Sequence, residues 1–441
     1  MRESNERIKP LGETVLYEGQ LEVETERGVS SGEGSVSFVW RPEPFLEVYA
    51  QYEFEKGPEP GTFPKAKVRL PGQEDFTNLL VTVSNTEPAQ RAFAYLMGTA
   101  TGMTIGSPST VSKIVFHIPN FPHFSGSRAW FQNPEGSQES TERTTLSYQT
   151  WTITLDAAPG YNIFMQHAHE SNSVTAITHT GILQNSQDVP FSVSEGKAVL
   201  EMLGMWLSFG CGNWTAPVLL TGFDTSGREV WQDWHAPIIK PSRKSGRWPN
   251  VQSSKFLEEG FPKFCDLYSK ADWKEAITLA ISFYVEATRQ ASGLETSIIL
   301  SQTGLELLGW AYIVDELKVV SADGYDKLKA EDKVRILLAT CNIPTTIPQH
   351  LTGVIEYAKA TTSIDGPACT THLRNKLVHG NSKHRSFITT LRNDIRAEIA
   401  KLSIWYVEMV LLKLFNFVGD YNNRLGPMDR YNRAIQPLPW S

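Results

Sequence analysis

The stretch Lys240-Pro241-Ser242-Arg243-Lys244-Ser245-Gly246-Arg247 divides the chain into two parts of different character. Its proline, glycine and charged residues are typical of a linker or an exposed loop, and the polar composition continues to about Ser254. The sequence before it reads as strands and turns, whereas apolar residues after it recur at the helical period. We therefore predict an α+β protein with a β-rich domain over residues 1–240, a helical domain over 255–420 and a C-terminal tail over 421–441.

Short runs rich in β-branched and aromatic residues fill the N-terminal part. Some alternate, as in Thr150-Trp151-Thr152-Ile153-Thr154-Leu155, which is the pattern of a half-buried strand. Because no amphipathic helix regularly separates the runs, they predict an antiparallel sandwich or barrel, with a helix best placed near Pro88–Leu96. The runs are Leu16–Glu24, Ser35–Trp40, Phe45–Phe54, Leu79–Val83, Lys113–Ile118, Thr145–Leu155, Val174–Leu183 and Val218–Phe223.

The C-terminal part keeps its apolar residues on one side of long helical stretches. In the last stretch, His384–Phe417, the steps between apolar positions alternate between three and four, which predicts one long amphipathic helix. In the first stretch the shared face carries Ile277, Ile281, Tyr284 and Val285. The predicted helices are Ala271–Gln290, Leu294–Val320, Asp332–Cys341, Pro348–Ala360 and His384–Phe417.

The composition limits the classes of function. With 441 residues, 41% of them hydrophobic, and a net charge of -7, the chain has material for real cores but no basic surface over the whole protein. The cysteines stand far apart and form no CxxC pair, which argues against a zinc site or a disulfide framework and predicts buried, reduced thiols. They are Cys211, Cys265, Cys341 and Cys369.

No feature of the sequence predicts a membrane protein. The N-terminal residues 1–7 are polar and lack the apolar segment of a signal peptide. The densest apolar stretch, Leu402–Val418, is interrupted by Glu408, Lys413 and Asn416, so it is too broken to span a bilayer. We expect a soluble, cytoplasmic protein that uses no cofactor and no metal.

A short helical segment before the last long one carries the residues best suited to chemistry. It runs from Asp365 to Leu373 and continues as Arg374-Asn375-Lys376-Leu377-Val378-His379-Gly380. Pro367 suits a first helical turn and Gly380 the position after a helix end, which places His379 in the last turn. There the helix dipole favours the imidazolium and should raise the pKa of His379, as proton transfer near neutral pH requires.

Arg374 and His379 do not share one face of that helix. They are five residues apart, which is about 140° around an ideal helix. Their side chains can converge only if the helix ends around His379, or if a second copy of the helix completes the site.

Positive charge is concentrated around this segment. From Asp365 to Lys401 there are seven Lys and Arg residues against three acidic residues, a net +4 in a chain of -7. His372 and His384 flank the segment as well. A local basic patch of this kind is what binding to a phosphate backbone requires.

The segment Arg374–His379 resembles the Arg-x4–6-His motif of HEPN ribonuclease domains, with four intervening residues and the polar Asn375 after the arginine. A β-rich domain followed by a helical domain that carries this motif resembles, more specifically, the ApeA-like proteins of bacterial anti-phage defence. The resemblance implies an all-α HEPN bundle that dimerises, so that two motifs meet in one cleft and cut RNA, with tRNA as one candidate, without a metal. It also implies that the N-terminal domain regulates the nuclease, for example by binding a phage-derived trigger.

The residue types suggest roles within the expected site. Arg374 would stabilise the phosphate, His379 would transfer protons, and Asn375 would orient a phosphate oxygen or His379. Attack by the 2′-OH of RNA would leave a 2′,3′-cyclic phosphate and a 5′-hydroxyl. Glu306, in an otherwise apolar helix, either pairs with Arg374 or is a surface glutamate. The further residues expected to contact RNA are Lys376, Lys383, His384 and Arg385.

Other interpretations stay open at this point. The helical domain could be a non-catalytic HEPN domain that only dimerises or binds, beside a ligand-binding β domain. The β domain could instead bind a carbohydrate or a peptide. His167-Ala168-His169-Glu170 would place two imidazoles on one face of a strand, but no third metal ligand has an evident spacing. Ser208-Phe209-Gly210-Cys211-Gly212 matches neither a nucleophile elbow nor a phosphate loop, so its glycines are expected to serve turns or packing.

Overall fold

The chain folds into two compact units in a computed structural model. The first unit consists of Met1–His123, Ser127–Gly204 and Thr215–Arg243, and the second of Phe124–Gly126, Met205–Trp214 and Lys244–Ser441. The first is rich in strands and the second in helices, so the predicted α+β class is confirmed. The structure describes residues 13–26, 28–40, 43–53, 65–86, 93–106, 110–122, 124, 126–132, 138–158, 161, 175–241, 248–250, 253–426 and 435–440.

A closed barrel of six antiparallel strands opens the first unit, in the order β1-β2-β3-β6-β5-β4. Inward-pointing residues of the strands form its core, and Val36, Phe38 and Val48 are among those fully buried. Gly34 is required where two strands approach closely, because a Cβ there would lie 2.2 Å from the carbonyl oxygen of Tyr49. The strands are β1 Glu13–Thr25, β2 Gly28–Val39, β3 Phe45–Glu53, β4 Ala66–Arg69, β5 Thr77–Thr86 and β6 Phe93–Ala100.

The prediction of a helix near Pro88–Leu96 is wrong for residues 93–96, which are the part of this range that the structure describes. Residues 87–92 lie outside the described residues, and Phe93 already begins strand β6. From Leu96 to Ala100 burial alternates along the chain, which is the period of a strand with one face toward the core.

An antiparallel sheet of eight strands follows in the same unit, in the order β10-β11-β12-β13-β9-β15-β16-β7. The run Thr145–Leu155 folds as two of its strands, because Tyr148 pairs with Trp151 across a tight turn in which Gln149 has a φ of 51°. The strands after the barrel are β7 Thr104–Ile105, β8 Thr110–Val111, β9 Lys113–Pro119, β10 Ser127–Gln132, β11 Gln138–Tyr148, β12 Trp151–Ala157, β13 Ile177–Asn185, β14 Phe191–Ser192, β15 Val218–Phe223 and β16 Glu229–Asp233.

His117 gives the first unit a predicted sensitivity to acid. It lies on β9, only 3% exposed, and burial lowers the pKa of its imidazole to about 4. The unfolded chain binds a proton near the ordinary histidine pKa of about 6.5, so stability should fall as the pH drops from about 6.5 to about 4. The full loss is about 3 kcal/mol.

A His117→Gln variant tests this pH dependence. Urea unfolding, followed by tryptophan fluorescence at several pH values, should show a shallower loss of stability in the variant than in the wild type across that window. Equal pH profiles for the two proteins would show that His117 does not carry the effect.

Helix α1, Val193–Cys211, interrupts the strands, and the sequence prediction missed it. Its residues up to Gly204 belong to the first unit and those from Met205 to the second. In its second half, from Met202 to Cys211, every residue except Met205 is buried, so this half is enclosed on nearly every side. A helix without a polar face shows no clear stripe in the sequence.

The second unit is a bundle of helices around the long helix Asn393–Leu414. Ile277, Ile281, Tyr284 and Val285 are fully buried, so the apolar face predicted for the first long helix is confirmed. The helices are α2 Lys255–Tyr268, α3 Ala271–Arg289, α4 Leu294–Gly309, a π-helix Trp310–Glu316, α5 Ala322–Asp326, α6 Ala330–Thr340, α7 Thr352–Thr361, α8 Gly366–Val378, α9 Ser382–Thr390 and α10 Asn393–Leu414. Two short strands follow, β17 Asp420–Asn422 and β18 Ile435–Pro437.

The prediction of one long helix over His384–Phe417 is wrong. The helix breaks between α9 and α10, where the backbone of Leu391 is extended with a ψ of 124°. The hydroxyls of Thr389 and Thr390 donate to backbone carbonyls three residues earlier, which competes with regular helix propagation. Beyond the break, the Arg392 guanidinium pairs with Asp394 and secures the new helix start.

One described helix, Leu294–Glu316, is long and apolar enough to cross a membrane when length and composition alone are considered. It consists of α4 and the π-helix. Of its most apolar window 56% is buried inside the structure, as in a core helix of a soluble protein.

A buried charge network fixes the centre of the helical unit. Glu408 of α10 is fully buried and accepts a hydrogen bond of 2.6 Å from the Tyr284 hydroxyl. Arg424, from the segment after α10, pairs with the same carboxylate and donates to the Tyr284 hydroxyl at 2.9 Å. Burial and the neighbouring carboxylate hold the pKa of Tyr284 well above its ordinary value.

Candidate functional site

Helix α8 carries the candidate motif, and its N-terminus is firmly capped. Asp365 precedes the helix and accepts a hydrogen bond of 2.9 Å from the backbone N–H of Ala368. The same carboxylate accepts from the Arg335 guanidinium of α6 at 2.6 Å. Pro367 lies in the first turn, as the sequence predicts.

The start of α8 also lies tightly against α10. A Cβ on Gly366 would stand 2.0 Å from the Tyr406 hydroxyl, so only glycine fits at this position. The Gly366 backbone N–H donates to the carbonyl of Thr345 at 2.9 Å. These contacts fix where the helix begins and therefore where its last turn ends.

The C-terminal end of α8 differs by one residue from the prediction. Val378 is the last helical residue, and His379 follows it with a φ of -93° and a ψ of 71°. The imidazole of His379 is exposed. Gly380 is not among the glycines with positive φ, so the helix does not end in the left-handed conformation that glycine favours.

Side chains from α9 satisfy the carbonyl groups at that end. His384 Nδ1 lies 2.5 Å from the carbonyl oxygen of His379, and Arg385 Nη1 donates to the carbonyl of Gly380 at 2.5 Å. Because a carbonyl only accepts, Nδ1 of His384 must carry the proton. Two residues predicted to contact RNA thus also close the end of the motif helix.

Arg374 is held from two sides without being fully paired. Its Nη1 donates to Asn375 Oδ1 at 3.2 Å, and its Nη2 lies 4.0 Å from Glu306 Oε1. The latter distance permits electrostatic attraction but is too long for a hydrogen bond. Nε is enclosed and has no hydrogen-bond partner, while the side chain as a whole is 23% exposed. The guanidinium therefore keeps unused donor capacity.

Behind Glu306 lies a buried amide that sequence reasoning missed. Gln302 Nε2 donates to Glu306 Oε1 at 3.0 Å, and Gln302 Oε1 accepts from the Thr371 hydroxyl at 3.3 Å. Gln302 is 2% exposed. Its spacing of four residues from Glu306, on one face of an apolar helix, is the signal that could have identified it.

His372, also on α8, forms a polar contact with Tyr357 of α7. Its Nδ1 lies 2.8 Å from the Tyr357 hydroxyl, and its ring contacts Phe387 of α9 edge-on. Burial, together with the charges of Lys376 and His384, lowers the pKa of His372. The neutral imidazole is therefore the form that fits this position.

The basic patch is narrower than the sequence suggests. Arg392 pairs with Glu356 at 3.0 Å, and Arg396 pairs with Glu295 at 2.6 Å. Lys383 and Arg385 are exposed on α9, a helix that has no buried residue. Lys376 is half-buried on α8. The positive charge open to a ligand is thus concentrated at the C-terminal end of α8 and on α9.

Within one chain the two motif residues are not joined. No hydrogen bond connects Arg374 with His379, both of which the structure describes. The imidazole lies beyond the helix end, and the guanidinium is directed toward α4. The prediction that the side chains do not share one face agrees with this arrangement.

In the described part of the chain, the remaining chemistry-bearing residues form no second centre of this kind. All four cysteines are buried, as predicted, and none of them forms a disulfide. Among the residues that the structure describes, no group of three or more His, Cys, Asp or Glu side chains could hold a metal ion. The segment His167–Glu170, considered as a metal pair, lies outside the described residues. Ser208 to Cys211 end helix α1, and Gly210 packs against the Phe256 ring.

Two segments of the chain match models of YopA protein domains. Residues 270–434 match the family described as the YopA C-terminal domain, and residues 106–245 match the YopA central domain. The chain is also similar to the SPbeta prophage-derived uncharacterized protein YopA of Bacillus subtilis (strain 168), at 28% identity over 320 residues. That alignment covers 71% of this chain and 69% of the relative. No solved structure matches the chain significantly.

The match to the YopA C-terminal domain contains the whole candidate site. It begins just before α3 and includes Glu306, Arg374 and His379. The match to the central domain begins after the barrel strands β1–β6 and includes helix α1.

Proposed function

We propose that this chain is a metal-independent endoribonuclease of the HEPN type, in which Arg374, Asn375 and His379 cut RNA in a cleft shared by two copies. The observation that carries the proposal is the state of Arg374. Its guanidinium is oriented by Asn375 and Glu306, yet Nε has no partner and Nη2 has no close acceptor.

An incompletely paired guanidinium favours the binding of an anion. A buried donor without an acceptor costs about 1–3 kcal/mol. A phosphate diester offers two oxygens in the planar geometry that arginine prefers, and a small rotamer change would let the guanidinium reach it. The exposed Lys383 and Arg385 would contact neighbouring phosphates of the same strand.

The proposed reaction needs only proton transfer and charge stabilisation. An imidazole of His379 takes the proton from the 2′-OH, and the 2′-oxygen forms a bond to phosphorus. The bond from phosphorus to the 5′-oxygen breaks, and that oxygen receives a proton from the imidazolium of the other copy. Arg374 stabilises the charge that grows on the phosphorane. The products are a 2′,3′-cyclic phosphate and a 5′-hydroxyl.

A shared cleft explains why one chain leaves the motif incomplete. Since His379 lies beyond the end of α8 and has no hydrogen bond to Arg374, a two-fold arrangement can bring the imidazole of one copy to the guanidinium of the other. We propose a homodimer on this ground.

The biological setting is part of the proposal. We infer a cytoplasmic protein of anti-phage defence that acts on RNA, with tRNA as one candidate, and whose β-rich unit gates the nuclease in response to a phage-derived trigger. The relative in Bacillus subtilis is derived from the SPbeta prophage, which supports a link to phage biology.

Cleavage by the wild-type protein in the presence of EDTA tests the proposal. A labelled RNA should be cut to fragments that end in 2′,3′-cyclic phosphate, and the same RNA with 2′-deoxy nucleotides throughout should stay intact. EDTA should leave the rate unchanged. Loss of cleavage in EDTA, or cutting of the deoxy substrate, would contradict the mechanism. Binding of RNA without any cleavage would favour a non-catalytic HEPN domain instead.

A further inference from the structure

We infer that Gln302 is a positioning residue that keeps Glu306 from closing an ion pair with Arg374, so that the guanidinium stays available for a phosphate of RNA. The inference rests on the proposed function, because it assigns Arg374 to phosphate binding. Gln302 is not part of the sequence motif, since it lies 72 residues before Arg374 on a different helix.

The four side chains involved form a continuous series of polar contacts between two helices. Gln302 and Glu306 are four residues apart on α4, and Thr371 and Arg374 are three residues apart on α8. The Thr371 hydroxyl donates to Gln302 at 3.3 Å, Gln302 donates to Glu306 at 3.0 Å, and Glu306 faces Arg374 at 4.0 Å. Each helix therefore contributes two side chains to this set of contacts.

The direction of the Gln302 amide is determined by its partners. A carboxylate only accepts hydrogen bonds, so the amide nitrogen must face Glu306. The amide oxygen then faces Thr371, whose hydroxyl can donate. A flipped amide would bring its oxygen against the carboxylate, which is unfavourable at a residue only 2% exposed.

Gln302 and Arg374 compete for the same oxygen. Both face Oε1 of Glu306, but only Gln302 is within hydrogen-bond distance. With the amide present, the carboxylate is held on the α4 side and the guanidinium remains 4.0 Å away. Without the amide, none of these contacts would keep the Glu306 carboxylate at a distance, and Glu306 and Arg374 would form a close ion pair.

The experiment measures both RNA binding and cleavage in four proteins: wild type, Gln302→Leu, Glu306→Gln and the double variant. Binding uses the same single-stranded sequence with 2′-deoxy nucleotides at every position, which has no 2′-OH and cannot be cut by 2′-OH attack. Gln302→Leu should bind about tenfold more weakly, the effect of losing one charge-assisted contact. Its slope of log Kd against log salt should fall by about 0.7, the value for one lost phosphate contact on a single strand.

The double variant separates positioning from simple structural damage. Glu306→Gln removes the charge that would capture Arg374, so it should restore the affinity lost in Gln302→Leu. A misfolded site would not be rescued in this way. Thr303→Val serves as the matched control, because Thr303 follows Gln302 on α4 and its hydroxyl donates within that helix, to the carbonyl of Ile299 at 2.9 Å.

The outcomes distinguish this inference from the proposed nuclease. Wild-type cleavage together with unchanged affinity in Gln302→Leu, or no rescue in the double variant, would overturn the positioning role and leave the nuclease standing. Binding that shows the predicted loss and rescue, without wild-type cleavage, would support the positioning role and reject the nuclease. A wild-type protein that does not bind RNA would overturn both.

Discussion

Replacing His379 by alanine is expected to slow RNA cleavage by about 10²- to 10⁴-fold, the contribution of a positioned general acid or base. His379 lies beyond the last turn of α8 and its imidazole is exposed, so its removal leaves the core of the bundle intact. Single-turnover cleavage of an end-labelled RNA measures the rate. Thermal unfolding of the variant should coincide with that of the wild type.

Arg374→Ala should slow the same reaction by about 10²- to 10³-fold, as expected when a donor that stabilises the transition state is removed. Arg374→Lys should recover little of this, because an ammonium cannot make the bidentate contact of a guanidinium. His235→Ala is a suitable control, since His235 is an exposed histidine of the first unit. Equal rates in wild type, His379→Ala and Arg374→Ala would remove the proposed mechanism.

Mixing the two inactive variants tests whether the cleft is shared. A dimer that contains one Arg374→Ala chain and one His379→Ala chain keeps one Arg374 and one His379, which would meet across the cleft, whereas each variant alone lacks one of the two residue types. Cleavage should therefore rise above that of either variant alone after the chains are exchanged. The second imidazole is missing, so the rate should stay below that of the wild type. A mixture no more active than its components would show that the two chains do not complement each other.

Glu408→Leu is expected to destabilise the helical unit by about 3–5 kcal/mol, the usual effect of removing one partner from a buried ion pair. Glu408 is fully buried on α10 and accepts hydrogen bonds from both Tyr284 and Arg424. Without the carboxylate, the nearly buried Arg424 cation keeps its desolvation penalty and loses its counter-charge. Urea unfolding followed by circular dichroism measures the change.

The double variant Glu408→Leu/Arg424→Met shows whether the cost comes from the unpaired charge. Apolar replacement of both partners often restores stability, so most of the loss should be recovered. A single Glu408→Leu variant within about 1 kcal/mol of the wild type would mean that the pair is not coupled as its geometry indicates.

Regular periodicity made much of the fold predictable. The apolar face of α3 and several strands of the first unit follow directly from sequence spacing, since burial on one face repeats at the period of the element. The start of α8 was predictable for a similar reason, because Asp365 and Pro367 act within a single turn of chain.

The features that escaped prediction depend on partners distant in sequence or on weak local signals. The second half of helix α1 is buried on nearly all sides, so it lacks the one-sided apolar stripe by which helices are recognised. The break at Leu391 leaves the spacing of apolar residues almost undisturbed, and the sequence therefore reads through it. The spacing of Gln302 and Glu306 predicts their pairing within α4, but the contact of Gln302 with Thr371 depends on the packing of α4 against α8, which no pattern within either helix reveals.

Helix α9 has a consequence for how the basic surface meets a ligand. None of its residues is buried, and the ring of Phe387 against Tyr357 and His372 is its main apolar attachment. Local unfolding of such a helix exposes little apolar surface, so its free energy of opening lies far below that of the bundle core. Lys383 and Arg385 therefore lie on a helix that can open while the core of the helical unit stays folded. Helix α9 could adapt to the irregular shape of a single RNA strand. Arg374, which is fixed on α8, would contact the same phosphate position in every substrate.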